Sequence, residues 1–178
     1  MNQAVENYRD FVVPFVGLSV GNHRFEFKVD DAFFDHFEYS SVHKADVDVV
    51  AELDKKERML VFSFELKGII ETICDRCGDV FQLNIENNEN LIVKFGEQFE
   101  EESEEMITIP ESEYKIDLAP FIYEYILLSI PLKAVHPDDE NGESTCNKDA
   151  LALLSKLQDH TETDSRWDAL SKLKNDLE

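Results

Sequence analysis

The sequence is poor in glycine, proline and cysteine, and each shortage excludes a class of protein. Its 178 residues include only 6 Gly and 5 Pro, which excludes collagen-like and low-complexity chains. Its 3 Cys are an odd number with no disulfide framework. We therefore expect a protein of the reducing cytoplasm, where thiols stay free.

Targeting and catalytic signals are also missing. The start "MNQAVENYRD" has no basic region leading into an apolar stretch, so we expect no signal peptide. The longest apolar run, "FIYEYILLSIPL", contains Glu124 and is far shorter than a membrane span. No phosphate-binding glycine loop and no nucleophile elbow are present. We expect neither an enzyme nor a small-molecule substrate.

Positive charge is scarce. Lys and Arg number 17 against 39 Asp and Glu, which gives a formal net charge of −22. Such a surface repels nucleic-acid phosphates and attracts basic partners. The alternative is that the acidic residues serve solubility alone.

Apolar residues alternate with polar ones over the first two-thirds of the chain. Segments 24–29, 45–53 and 58–70 each place most of their apolar residues on one face, as half-buried strands do. The last two predict an antiparallel pair, and "VFQLNI" and "LIVKF" predict a second pair joined by the polar "ENNEN". The sequence predicts an α+β fold: a mainly antiparallel sheet or partly open barrel, with about three helices concentrated in the C-terminal third.

The pattern suggests a domain boundary late in the chain. Residues 1–146 are predicted to form the sheet domain, with an acidic loop at 97–113 and a core helix at 117–130. Six glutamates lie within 97–105, so we expect that part of the loop to be poorly ordered. Residues 147–178 are predicted to be a helical segment.

Two cysteines stand three positions apart, in Cys74-x-x-Cys77 followed by glycine. Between two strands this is the form of a zinc knuckle, in which two thiolates converge on one metal ion. Tetrahedral zinc needs two more ligands, and a single polar loop supplies His136 and Cys146. A structural zinc site with all four residues would use every cysteine in the chain.

Two other interpretations of the motif remain open. A thioredoxin-type motif begins a helix after a strand, whereas a strand is predicted to follow here. The cysteines of a metal-free turn would instead pack as small apolar residues.

The chain resembles the YceD family, formerly a domain of unknown function, and looks most like its Bacteroidetes branch. The resemblance rests on "CDRC" after a long strand, on Cys146, and on the late box Asp164-Ser165-Arg166-Trp167. Supporting stretches are "VPFVGLSVGNHRFEF", "LIVKFGE" and the pair His136–Pro137. Family members more often have proline at the position of Ser165.

This resemblance implies a non-enzymatic role in ribosome biogenesis, through accumulation of the large subunit or its 23S ribosomal RNA. From the charge we expect an acidic escort that binds a basic ribosomal protein or a pre-ribosomal particle and affects RNA only indirectly. One alternative is direct RNA binding through Lys55, Lys56 and Arg58. Another is a zinc-stabilised protein-interaction domain unrelated to ribosomes.

Overall fold

Strands dominate the computed structural model, which describes residues 11–158. A 3₁₀ turn at Phe15–Gly17 follows the first strand. In chain order the elements are β1 Val12–Val13, β2 Gly21–Val29, α1 Asp31–Phe34, β3 Ala45–Lys55, β4 Met59–Ile73, β5 Val80–Gly96, β6 Glu100–Ser103, β7 Met106–Pro110, β8 Ile116–Asp117, α2 Ala119–Leu128 and α3 Lys148–Gln158.

Six of the strands form one open, mixed sheet in the order β2-β3-β4-β5-β7-β6, and β1 pairs with β8 separately. Every neighbouring pair in the large sheet is antiparallel except β5 and β7. The predicted α+β class with a mainly antiparallel sheet is confirmed. Helix α1 was not predicted, and the part of the predicted helical segment 147–178 beyond residue 158 lies outside the described residues.

The pair β3–β4 has the predicted antiparallel register, with Val49 opposite Leu66 and Leu53 opposite Phe62. These side chains are buried, while Glu52 and Ser63 between them are exposed. The period of two therefore assigns one face to the core and the other to solvent.

The predicted second hairpin at "ENNEN" is wrong. Residues 86–90 lie inside the continuous strand β5, which pairs with β4 from Met59↔Lys94 to Ile73↔Val80. The side chains of Asn88 and Asn90 are exposed, so the polar stretch continues the ladder without burying charge. A long antiparallel partner satisfies these backbone groups better than a turn would.

The acidic stretch 97–105 also differs from the expected loop. Glu100–Ser103 forms the edge strand β6, paired antiparallel with β7. The carboxylate of Glu102 accepts hydrogen bonds from Lys94 Nζ and Thr108 Oγ1, both at 2.7 Å. The Lys94 ammonium, followed by the Thr108 hydroxyl, lowers the pKa of Glu102. The other glutamates of this stretch remain exposed.

Helix α2 packs on the buried face of the sheet and completes the core. Ile122 and Ile126 are fully buried, and the Tyr125 ring lies 5.2 Å from that of Phe64. The N-cap residue is Leu118 rather than the predicted Asp117, although the Asp117 carboxylate accepts a 3.0 Å hydrogen bond from the backbone N–H of Ala119. The helix is two residues shorter at each end than the predicted 117–130.

The described chain divides into two units. The sheet unit comprises 11–73 and 80–134, and the cysteine unit comprises Cys74–Asp79 and 135–158. In the cysteine unit the Asn147 side chain caps α3, accepting hydrogen bonds from the backbone N–H groups of Asp149 and Ala150. The proposed boundary between 1–146 and 147–178 stays a prediction. Among the described helices, none has the length and apolar character to cross a membrane.

The close approach of β3 and β4 at Gly68 gives a stability test. A Cβ atom on Gly68 would lie 2.6 Å from the Cα of Val47 and nearer still to the Asp46 carbonyl oxygen. Gly68→Ala should lower the free energy of unfolding by about 2–3 kcal/mol, because the strands must separate. Gly17→Ala is the matched control, since nothing lies within 4 Å of its added Cβ. Equal urea midpoints for the two variants would contradict this packing.

Candidate metal centre

The segment Cys74–Asp79 folds into a tight turn between β4 and β5. The backbone N–H of Gly78 donates to the Cys74 carbonyl oxygen at 2.8 Å. The backbone N–H of Cys74 donates to the Asp79 carbonyl oxygen at 2.9 Å. Gly78 has a φ of +80°, which favours glycine. The turn brings the side chains of Cys74 and Cys77 to the same side.

The loop 135–147 supplies the other half of the cluster. An isolated bridge joins Asp138 to Ser144 and closes the loop. The Asp139 carboxylate accepts backbone hydrogen bonds from Asn141 at 2.9 Å and Glu143 at 2.8 Å. Those bonds, the Glu143 N–H first, lower the pKa of Asp139. The carboxylate therefore serves to form the turn that precedes Cys146.

The four residues expected from the sequence lie together. The Sγ atoms of Cys74 and Cys146 are 3.7 Å apart, and His136 Nδ1 lies 3.5 Å from Cys77 Sγ and 3.8 Å from Cys146 Sγ. All four candidate ligand atoms fall within 4.8 Å of one another. The group Cys74, Cys77, His136 and Cys146 could hold a single metal ion.

These separations match the edges of a zinc tetrahedron. Zn–S bonds of about 2.3 Å and Zn–N bonds of about 2.0 Å give ideal edges of about 3.8 Å between sulfurs and about 3.5 Å between sulfur and nitrogen. The three separations given above lie within about 0.3 Å of those values, and no separation in the cluster exceeds 4.8 Å. Thiolate and imidazole ligands favour zinc over magnesium or calcium.

The surroundings of the sulfurs differ. Cys74 and Cys146 are buried, whereas Cys77 and His136 are half-buried. Burial raises the pKa of Cys74, but backbone N–H groups, that of His136 foremost, outweigh it and lower the pKa to about 5. Backbone hydrogen bonds from Asn147 and Asp79 lower the pKa of Cys77, but burial and the adjacent thiols dominate, so its pKa is raised overall. Adjacent sulfurs resist carrying several negative charges unless a cation joins them.

Sequence reasoning missed the residues that join the two halves. Arg76 Nη1 donates to Ser144 Oγ at 3.0 Å, and Asn147 Nδ2 donates to Asp79 Oδ2 at 3.0 Å. Ser144 Oγ in turn accepts from the backbone N–H of Cys146 at 3.3 Å. In the sequence, these hydrogen bonds are indicated by charged and polar residues next to the candidate ligands, but that pattern is common in ordinary turns.

We propose that zinc occupies this cluster and that its role is structural. Four protein ligands fill a tetrahedral shell, which leaves no open position for a substrate or water. A dithiol redox centre is less favoured, because a strand rather than a helix follows Cys77. A metal-free turn would place no imidazole nitrogen between two of the sulfurs.

A comparison with known protein families finds a match to the part of the chain that contains the cluster. A family model described as "Large ribosomal RNA subunit accumulation protein YceD" matches residues 62–174. That range includes all four residues of the cluster. The description names an effect on ribosomal RNA and no reaction. No curated protein and no solved structure matches the chain.

Zinc binding can be measured directly. Protein purified without chelator should contain one zinc ion per chain by elemental analysis, and cobalt substitution should give the visible spectrum of a tetrahedral thiolate site. Cys77→Ser should weaken zinc binding at least about tenfold, because it removes one thiolate ligand. Chelation should lower the melting temperature of the wild type, since metal binding and folding are coupled.

His43→Ala is the matched control for ligand loss. His43 is exposed and belongs to the sheet unit, outside the cluster. This variant should keep the full zinc content and affinity of the wild type, whereas His136→Ala should not. Full zinc occupancy in both Cys77→Ser and His136→Ala would refute the four-ligand site.

Proposed function

The chain belongs to the YceD family, and from that membership we propose that it supports accumulation of large-subunit ribosomal RNA as a binding protein. Its partner is a basic protein of the large ribosomal subunit, held until it reaches its RNA. The effect on RNA is indirect, because large-subunit RNA that has not received this ribosomal protein is exposed to degradation. The family match over 62–174 is the observation that carries this proposal. A ribosomal role agrees with the cytoplasmic location expected from the sequence.

Charge supports a basic partner over RNA. The chain carries a net charge of −22, and each phosphate contact in an RNA complex needs a cation. Residues 95–143 contain 14 acidic residues and 2 basic ones. Long-range attraction of this kind speeds capture of a cationic protein and weakens as salt is added.

The runner-up, direct RNA binding, depends on three cations around the β3–β4 turn. Lys55 Nζ donates to two backbone carbonyl oxygens, those of Phe15 and Leu18, at 2.7 Å each. Lys56 Nζ lies 3.4 Å from an Asp54 carboxylate oxygen. Two of the three cations are therefore engaged within the protein, and this favours the escort. An interaction domain unrelated to ribosomes is disfavoured by the family match.

The escort role predicts a defined capture experiment. The immobilised chain is exposed to the protein fraction stripped from purified large ribosomal subunits, and bound proteins are identified by mass spectrometry. It should retain at least one basic protein, release it as salt is raised, and retain it after nuclease treatment. Retention that disappears with nuclease would instead indicate direct RNA binding.

The acidic stretch offers a charge variant of this test. Glutamine at 97, 100, 101, 104 and 105 should reduce capture, because it removes negative charge from exposed positions. Glu102 is left unchanged, since Lys94 and Thr108 bind it. Zinc content and unfolding free energy serve as controls and should match the wild type. Undiminished capture would remove this stretch from the mechanism.

A cellular experiment addresses the family role itself. Cells depleted of the protein should contain less large-subunit than small-subunit ribosomal RNA, and the wild-type chain should restore the ratio. An unchanged ratio would contradict the proposed function.

A further inference from the structure

Within the described residues, the face of the sheet that points away from the core is largely exposed. It consists of alternate residues of the strands, paired side by side by the ladder register. We call it the open face. Its residues in strands β2 to β5 are Asn22, Arg24, Glu26 and Lys28; Asp46, Asp48, Val50, Glu52 and Asp54; Met59, Val61, Ser63, Glu65, Lys67, Ile69, Glu71 and Ile73; and Val80, Gln82, Asn84, Glu86, Asn88, Asn90, Ile92 and Lys94.

The end of the open face near the β3–β4 turn carries a group of apolar residues. Val61 pairs with Ile92, and Ile92 pairs with Met106 on the neighbouring strand β7. Met59 precedes Val61 by two residues and shares its face. We call these four residues the apolar patch, and each is half-buried. A solvated sheet face normally alternates polar residues outward, so adjacent apolar side chains across three strands mark a contact surface.

Carboxylates outnumber cations on the open face as a whole. On β2 to β5 the open face carries eight acidic side chains and four basic ones. The basic ones already contact acids: Arg24 lies 3.5 Å from Glu52, and Lys28 contacts both Asp46 and Asp48. Ion pairing inside the face therefore consumes its cations and leaves negative charge for a partner.

Shallow depressions run along the open face beside the patch. One of about 450 Å³ is lined by Glu52, Asp54, Val61 and Ser63. A second, of about 220 Å³, shares Glu52 and Ser63 and extends to Glu65. Both depressions adjoin carboxylates, and Arg24, which is paired with Glu52, also lines the first.

We propose that the open face is the docking surface for the basic protein, with the apolar patch receiving an apolar side chain that is flanked by lysine or arginine. This inference rests on the proposed function and names the surface that performs it. The excess of carboxylates selects a cationic occupant, and a second copy of this chain would meet its own negative charge. RNA is disfavoured, because the described open face has no aromatic side chain for base stacking.

Two substitutions that keep β-branching test the patch without removing charge. Val61→Thr with Ile92→Thr keeps the β-branched shape but places hydroxyl groups in the contact. The matched control is Val16→Thr with Val20→Thr, two valines outside the open face that are 60% and 64% exposed. A charge variant, Glu52→Gln with Glu65→Gln, is compared with Glu38→Gln and Glu57→Gln, which lie off this face.

Each variant is assayed against two probes after its unfolding free energy is shown to match the wild type. The first is the nuclease-treated protein fraction of purified large ribosomal subunits, and the second is poly-lysine, which binds by charge alone. The Val61/Ile92 variant should bind the captured ribosomal protein about tenfold more weakly, as expected for loss of a central contact. Its affinity for poly-lysine should be unchanged. The Glu52/Glu65 variant should weaken binding of both probes more than its control does.

The outcomes separate this surface from the proposed function. If the wild type retains a ribosomal protein and the Val61/Ile92 variant behaves like the Val16/Val20 control, the open face is not the docking surface. The escort role is then unaffected. If the wild type retains none, both are wrong. If the Val61/Ile92 variant instead loses affinity for a large-subunit RNA transcript, the occupant is RNA and the proposal is overturned.

Discussion

The long antiparallel pairing of β4 with β5 is the constraint on which the rest of the sheet unit depends. It runs without interruption from Met59↔Lys94 to Ile73↔Val80. Side chains alternate along it, so a slip of one residue would exchange the buried Leu66 for Glu65 or Lys67 of the other face. The same ladder therefore creates both the core and the open face. It also returns the chain to β5 directly after the Cys74–Asp79 turn, where a metal knuckle can form.

Local patterns predicted the parts of the fold that local chemistry controls. Alternation of Val47, Val49 and Leu53 with acids was enough to assign β3 and its buried face, because only one face can avoid water. The membership of the cysteine cluster followed from residue type, since thiolates and imidazole are scarce here and bind zinc together. Its spatial proximity has now been observed, with ligand atoms within 4.8 Å, while its metal remains a proposal.

Long-range pairing explains what the sequence could not predict. The polar residues 86–90 resemble a turn, and only the presence of β4 opposite them makes them a strand. The glutamates of β6 disfavour a strand by propensity, yet β7 supplies hydrogen bonds and Lys94 supplies charge. The parallel pairing of β5 with β7 depends on a connection across the acidic stretch. In each case the stabilising partner is distant in sequence or set by register, so no local window contains the information.

The candidate metal ligands and the open face belong to different units of the chain, so each makes a different contribution. All four ligands belong to the cysteine unit, whereas the open face and its apolar patch belong to the sheet unit. In the proposed zinc site, four protein ligands would reduce the conformational freedom of their own turn and loop and would leave the metal no free position for a partner. Recognition must then come from surface chemistry, where charge draws in a cationic protein from a distance and apolar contact discriminates among such proteins once they are close. Acidity alone would bind every basic protein in the cell. An apolar patch within an acidic surface is the simplest arrangement in this chain that would favour one of them.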